Sequence, residues 1–332
     1  MKARSASHAE SSLGDKLSRL TAIGIAVLAL ALSSHDAQAQ VLRCITWVDP
    51  PSDAEMWTIN PTTGVIGIDL ATLVEHPVGF AQSPSDPRIL YAISALQGLS
   101  NSTLYSVRRN ENGSTTTTTI GSLGLQLFEG DMAFDPGGQL YALTRWAGGT
   151  SPSTFLSINT TTGAATSPIG ITGSPNSPTG FANHSDMSAM AFAPNGDMYV
   201  IDNSDAPSVN PTYLLKVNKT TGAVITSTLV SDRLTSPLGM VFNSSGTLYV
   251  AGQELFGSHP QLYTLSLSGT LTPIGTSLGL ASGVGVSGLA FSPADPVPAT
   301  SPPAIAGLAL LMAVVGVATL RRRKVEGLDP AN

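Results

Sequence analysis

Three pairs of titratable residues stand at one kind of place in this sequence. Glu75-His76, Glu129 with Asp131, and His184 with Asp186 each lie just ahead of a short apolar run. Carboxylate oxygens and imidazole nitrogens drawn from separate segments are the donors that hold a divalent cation. If the three segments converge, they would form a metal site able to serve a hydrolase. Two further runs are preceded by Ser236-Pro237-Leu238 and Gly285-Val286-Ser287, which carry no ligand. Acidic residues before strands also serve as turn and solubility residues, so ordinary surface polarity is the competing reading. There is no Gly-x-Ser-x-Gly elbow, His-Glu-x-x-His pair, phosphate loop or EF-hand loop. The sequence therefore names no catalytic residue and requires no cofactor, and it leaves a divalent cation in a central channel as the one candidate.

The runs that would position these residues repeat. Gly79–Pro84, Asp131–Pro136, Ala189–Pro194, Gly239–Ser244 and Gly288–Pro293 share a small-apolar-apolar pattern, with starts 52, 58, 50 and 49 residues apart. A second run follows four of them: Leu90-Tyr91-Ala92, Leu140-Tyr141-Ala142, Met198-Tyr199-Val200 and Leu248-Tyr249-Val250. Each unit then continues into a hairpin. Three hairpin turns are near copies, Asn60–Gly64, Asn159–Gly163 and Asn218–Gly222, and the other two use Asn112-Gly113 and Ser268-Gly269. Glycine at these turns predicts positive φ, which a β-carbon disfavours. About 50 residues and four strands per unit fit a propeller blade better than a solenoid coil.

Counting gives five inner runs and five hairpins, out of phase. The hairpin Met56–Asp69 precedes any inner run, and Gly288–Pro293 has no hairpin behind it. A ring resolves this if the last inner strand completes the first hairpin's blade, with Val41–Trp47 as the missing second strand. The expected fold is thus an all-β, five-bladed β-propeller over 40–296, with four-stranded antiparallel blades and one closing blade shared by both ends. Connections into inner strands reach the channel from one side, which is where the three titratable pairs would meet. Sugar-lactone hydrolases of propeller fold use a channel metal in roughly that place, so a metal-dependent hydrolase or lactonase is the alternative to a non-enzymatic role.

Composition narrows the partners. Between Gln40 and Pro303 there are 17 Asp and Glu against 8 Lys and Arg, with no basic stripe, which argues against nucleic acid. Cys44 is the only cysteine, so no intrachain disulfide forms. Arg43 beside it, and an apolar run that ends far upstream, argue against a lipoprotein. A buried strand cysteine is expected.

The two ends give an address. Lys2, Arg4, Lys16 and Arg19 precede an apolar run from about Ile23 to Leu32, and Ala37-Gln38-Ala39 offers small residues to a signal peptidase. Residues 1–39 therefore read as a signal peptide. At the other end, 297–303 is Pro-rich, Ala304–Leu320 has no charge, and Arg321-Arg322-Arg323-Lys324 opens the basic tail 321–332. Seventeen helical residues reach roughly 25 Å, the short end of a transmembrane helix, and the basic cluster marks the cytoplasmic side. This three-part tail resembles the PEP-CTERM and IPTL-CTERM sorting signals of Gram-negative bacteria. Val297, Pro298 and Ser301 stand where the IPTL-type motif would lie, without its acidic residue and tryptophan. The resemblance implies processing by an exosortase-like membrane protease and delivery to the cell surface or matrix, and a plain inner-membrane anchor is the simpler reading. The sequence thus points to an exported, envelope-anchored or surface-sorted propeller. It would act as a non-enzymatic binding or surface-matrix protein for a protein or polysaccharide ligand. The mature chain is expected to begin at or near Gln40, and amino-terminal sequencing of envelope fractions checks this; a chain beginning at Met1 would refute it.

Overall fold

The computed structural model describes residues 40–48, 53–75, 77–94, 101–110, 114–127, 130–144, 153–173, 187–203, 211–254, 259–280 and 284–293. The expected signal peptide, linker, apolar helix and basic tail lie outside the described residues. Among the described residues no helix is long and apolar enough to cross a membrane.

The described residues form twenty strands in five antiparallel four-stranded sheets. Blade 1 joins β1 (Gln40–Val48), β2 (Asp53–Ile59) and β3 (Ile66–Glu75) to the last strand, β20 (Val284–Pro293). Blade 2 holds β4 (Pro77–Gln82), β5 (Ile89–Ser94), β6 (Thr103–Arg109) and β7 (Thr115–Ser122). Blade 3 holds β8 (Met132–Phe134), β9 (Leu140–Thr144), β10 (Thr154–Ile158) and β11 (Ile169–Gly170). Blade 4 holds β12 (Met187–Phe192), β13 (Met198–Asp202), β14 (Tyr213–Val217) and β15 (Val224–Leu229). Blade 5 holds β16 (Leu234–Phe242), β17 (Leu248–Glu254), β18 (Gln261–Leu265) and β19 (Leu271–Ile274).

The inner strands β4, β8, β12, β16 and β20 each contact the next, and β20 returns to β4, so the ring is closed. Closure is the pairing expected from the strand count: β1 runs antiparallel to β20 from Gln40 opposite Pro293 to Val48 opposite Val284, with one bulge between Ile45 and Thr46. The protein is therefore an all-β five-bladed β-propeller whose first blade is made from both ends of the domain.

Strand composition follows distance from the axis. Inner β12 lies between two neighbouring sheets and is buried at every residue, which suits its Met, Ala and Phe. Outer β7, a run of threonines, is mostly exposed. The apolar core is correspondingly split into five layers, one between each pair of neighbouring blades. Four of these seams share an aromatic contact. The tyrosine of a second strand meets the phenylalanine of the next inner strand in Tyr91–Phe134, Tyr141–Phe192, Tyr199–Phe242 and Tyr249–Phe291, with ring centroids 5.5, 5.1, 5.5 and 5.3 Å apart. Such tilted or edge-on pairs add about 0.5–1.5 kcal/mol each beyond their buried area. At the seam between blades 1 and 2 the register puts Arg43 in the tyrosine position, opposite Ala290, and Gln82 in the phenylalanine position, opposite Leu90. Cys44 is fully buried in β1, and burial, opposed by the Trp57 backbone, pushes its thiol up to about 12. It is a packing residue rather than a thiolate nucleophile.

At the rim, the hairpin turn of one blade rests on the outer strand of the blade before it. Thr172 N–H donates to Gly222 O at 3.0 Å, and Ser231 N–H donates to Gly269 O at 2.8 Å. Gly222 has φ +76°, as the turn motif predicts, but a β-carbon there would also collide with the carbonyl oxygen of Gly170 in blade 3. Gly246, with φ +84°, faces open space. Both Gly222→Ala and Gly246→Ala should incur the left-handed penalty of about 1–2 kcal/mol. Gly222→Ala should lose about 1–3 kcal/mol more through overlap at the seam. Urea unfolding of the two variants checks this; equal losses would mean that the rim gives way freely.

Candidate functional site

An inner strand has a hydrogen-bonded partner on its outer side only, so its axial edge presents unpaired backbone groups to the channel. Five such edges converge here. The first position of the repeated inner motif is Gly79, Asp131, Ala189, Gly239 and Gly288, and only Asp131 brings a side chain longer than a methyl group.

Its carboxyl group lies on the axis, 1% exposed. Met132 N–H donates to Oδ1 at 2.8 Å, while Met190 N–H and Met240 N–H donate to Oδ2 at 3.2 and 3.3 Å. These three amides belong to blades 3, 4 and 5. Burial pushes the Asp131 carboxyl well above the ordinary carboxylate range, against the pull of the three N–H groups. The glycines make the convergence possible. A β-carbon on Gly79 would lie 2.9 Å from the Asp131 backbone, and one on Gly239 would lie 2.6 Å from the Gly288 carbonyl carbon. One on Gly288 would lie 2.9 Å from the Phe80 ring.

Of the six residues that the sequence singled out, Asp131 is thus the one whose side chain is described, and it does reach the channel. Glu75 closes β3 opposite Asp53, but its side chain lies outside the described residues, as do His76, Glu129, His184 and Asp186. Asp131 turns both oxygens toward backbone donors, and the three N–H groups take up three of the roughly four acceptor positions of a carboxylate.

Sequence reasoning did not anticipate the cavity at the far ends of the inner strands. A funnel of about 450 Å³ opens there, lined by Phe134, Phe192, Phe242 and Phe291, with Gln82 at the fifth equivalent place. Ala81, Ala133, Ala191, Val241 and Ala290 also line it, one residue earlier in each strand, as do Met132, Met240 and Leu289, one residue earlier still. The four phenylalanines are visible in the sequence as the fourth residue of the inner motif. Their common destination becomes visible only once five strands share an axis.

Asp135 marks the rim. Its carboxylate is 6% exposed and accepts from Lys219 Nζ at 2.7 Å, across the seam from blade 4. The same ammonium stands 5.9 Å from the Phe192 ring centroid, a cation–π contact. Burial opposes ionisation of Asp135, but Lys219 and the Gln139 and Gly137 N–H groups outweigh it, and the carboxyl is held below its usual range.

No family model matches this chain, and no curated protein matches it. Solved structures do. Kuenenia stuttgartiensis hydrazine synthase is 13% identical at TM-score 0.39, with 66% of this chain and 59% of that one covered. Bacteroides ovatus xyloglucan PUL GH43B is 15% identical at TM-score 0.45, covering 71% and 44%. The exo-β-1,3-galactanase of Phanerochaete chrysosporium is 12% identical at TM-score 0.40, covering 57% and 48%. The chain spans about half the length of these proteins, and likenesses this distant assign it no activity.

Because the folded pKa of Asp135 is depressed, its pairing stabilises the fold fully above the ordinary aspartate value of about 4 and loses that effect as pH falls through the lower folded value. Asp135→Asn should therefore be less stable than the wild type by about 1 kcal/mol at pH 7, a figure reduced for the half-exposed lysine. The gap should close in strongly acidic buffer. Thermal melts from pH 7 to pH 2 check this; a gap that did not change with pH would refute it.

Proposed function

We propose that this chain is an exported propeller that acts as a non-enzymatic binding or surface-matrix protein and engages its ligand at the phenylalanine-lined funnel. On this reading, residues 1–39 direct export, the tail over 297–332 holds or sorts the protein at the envelope, and the propeller faces outward. The observation that carries the reading is the division of labour along the axis. The described carboxyl at the channel centre is bound by the backbone, while the other end of the same inner strands opens as an apolar cavity. A cavity of about 450 Å³ is of the size that holds a small molecule or a single side chain of a larger ligand. A protein or polysaccharide presenting such a group is the matching partner class.

The alternative is a metal-dependent hydrolase or lactonase. It would draw on Glu75, His76, Glu129, Asp131, His184 and Asp186, with a divalent cation as cofactor.

Deleting Pro303–Asn332 should move the protein from membrane fractions to the periplasm or medium, because the funnel alone binds too weakly to retain a dilute protein; purified and concentrated, the released propeller should rebind washed envelopes. Ser244→Trp, at the exposed mouth of the funnel, should abolish rebinding while the chain still unfolds cooperatively as a propeller. Rebinding unaffected by the tryptophan would remove the funnel from the reading. Stoichiometric, tightly held Ca²⁺, Mn²⁺ or Zn²⁺ in the purified full chain, with turnover of a lactone, would favour the hydrolase instead.

A further inference from the structure

The amides that meet Asp131 come from three different blades, and Gly79, Gly239 and Gly288 bring the surrounding backbones close together. We propose that the inner strand ends of this propeller form a carboxyl-binding site on the axis, and that Asp131 is the ligand with which the chain fills it.

The site is built from Met132 N–H, Met190 N–H and Met240 N–H, which converge on the two oxygens at 2.8, 3.2 and 3.3 Å. Inner strands expose such donors because they have no partner on the axial side, and a buried donor left unpaired is costly. Water could satisfy one or two of them only if the axis were roomy. It is not, because Gly79, Gly239 and Gly288 bring neighbouring backbones within contact of one another and of Asp131. A planar group with two acceptor oxygens meets three donors from different directions, which a single hydroxyl or a water molecule does less well.

The repeat supports the same conclusion. The position equivalent to Asp131 is glycine in blades 1, 2 and 5 and alanine in blade 4. One blade supplies the ligand, and the other four supply the space. Replacement of Asp131 by glycine would leave a void shaped like acetate, the part of the aspartate side chain that was removed. The chemical class that this void takes is therefore a small carboxylic acid or carboxylate, recognised by backbone donors alone.

Chemical rescue tests this on the full-length chain. Asp131→Gly should melt about 10 °C or more below the wild type, since three amides lose their acceptor. Added acetate should restore at least half of that loss and should saturate with concentration. Sodium chloride at equal ionic strength should not, and the wild type should not respond to acetate, because its own carboxyl occupies the site. Equal shifts by chloride, equal shifts in the wild type, or a folded Asp131→Gly that ignores acetate would each overturn the proposal. If Asp131→Gly does not fold, Asp131→Asn decides the question. It keeps the volume but turns an N–H₂ group toward at least one amide, and it should melt several degrees below the wild type at pH 6. An asparagine variant as stable as the wild type would mean that the axis needs only filling and does not select a carboxyl group.

Discussion

The pairing of β1 with β20 is the constraint on which the rest of this structure depends. A five-bladed ring can exclude water from each seam only if the last blade meets the first. A chain that began and ended on whole blades would meet there through side chains alone. Here the seam is moved inside a sheet. Backbone hydrogen bonds from Gln40–Val48 to Val284–Pro293 join the two ends of the domain within blade 1. The layers between blades 5 and 1 and between blades 1 and 2 both draw on residues of these strands, among them Leu42, Ile45, Leu289 and Ala290.

Closing the ring creates a second problem at its centre. Five strand edges turn their axial amides toward one line, and Gly79, Gly239 and Gly288 hold the neighbouring backbones close together there. The molecule resolves this asymmetrically, with one acidic side chain from one blade and small residues from the others. A buried carboxyl group is expensive to desolvate, and burial holds the Asp131 carboxyl well above the ordinary range although three amide donors offset part of that cost. The same asymmetry separates the two ends of the channel. Toward one end Asp131 meets backbone amides, and at the other opens the funnel, whose wall is the phenylalanine side of the four aromatic seams. The funnel is thus a consequence of how blades pack, and the residues that line it also hold neighbouring blades together.

That double role bears on function. Phe134, Phe192, Phe242 and Phe291 are packed against tyrosines behind them, and side chains already held in place lower the ordering cost of binding. Asp135 and Lys219 add a charged pair at the rim without leaving a net charge there. A cavity of this kind suits an apolar group that enters from outside.

The inner motif, the tyrosine strands, the Asn-to-Gly turns and the phase between inner runs and hairpins were all legible in the sequence. They were legible because each is a local signal repeated at a near-constant period, and repetition separates a signal from chance. Glu75, Glu129 and Asp131 look alike in the sequence, as acidic residues before or near a strand start. Whether a carboxyl group meets a cation, solvent or three amides depends on backbones about 60 and 110 residues further along the chain. The same holds for Gly222, which the turn motif explains through φ alone, and whose second reason is the carbonyl of Gly170 in another blade. The pairing of Asp135 with Lys219, 84 residues apart, left no trace in either neighbourhood. Local chemistry and periodicity therefore determined the strands, their number and their closure. The tertiary structure decided what sits on the axis and where the cavity opens, because both arise from distances between blades that no single repeat contains.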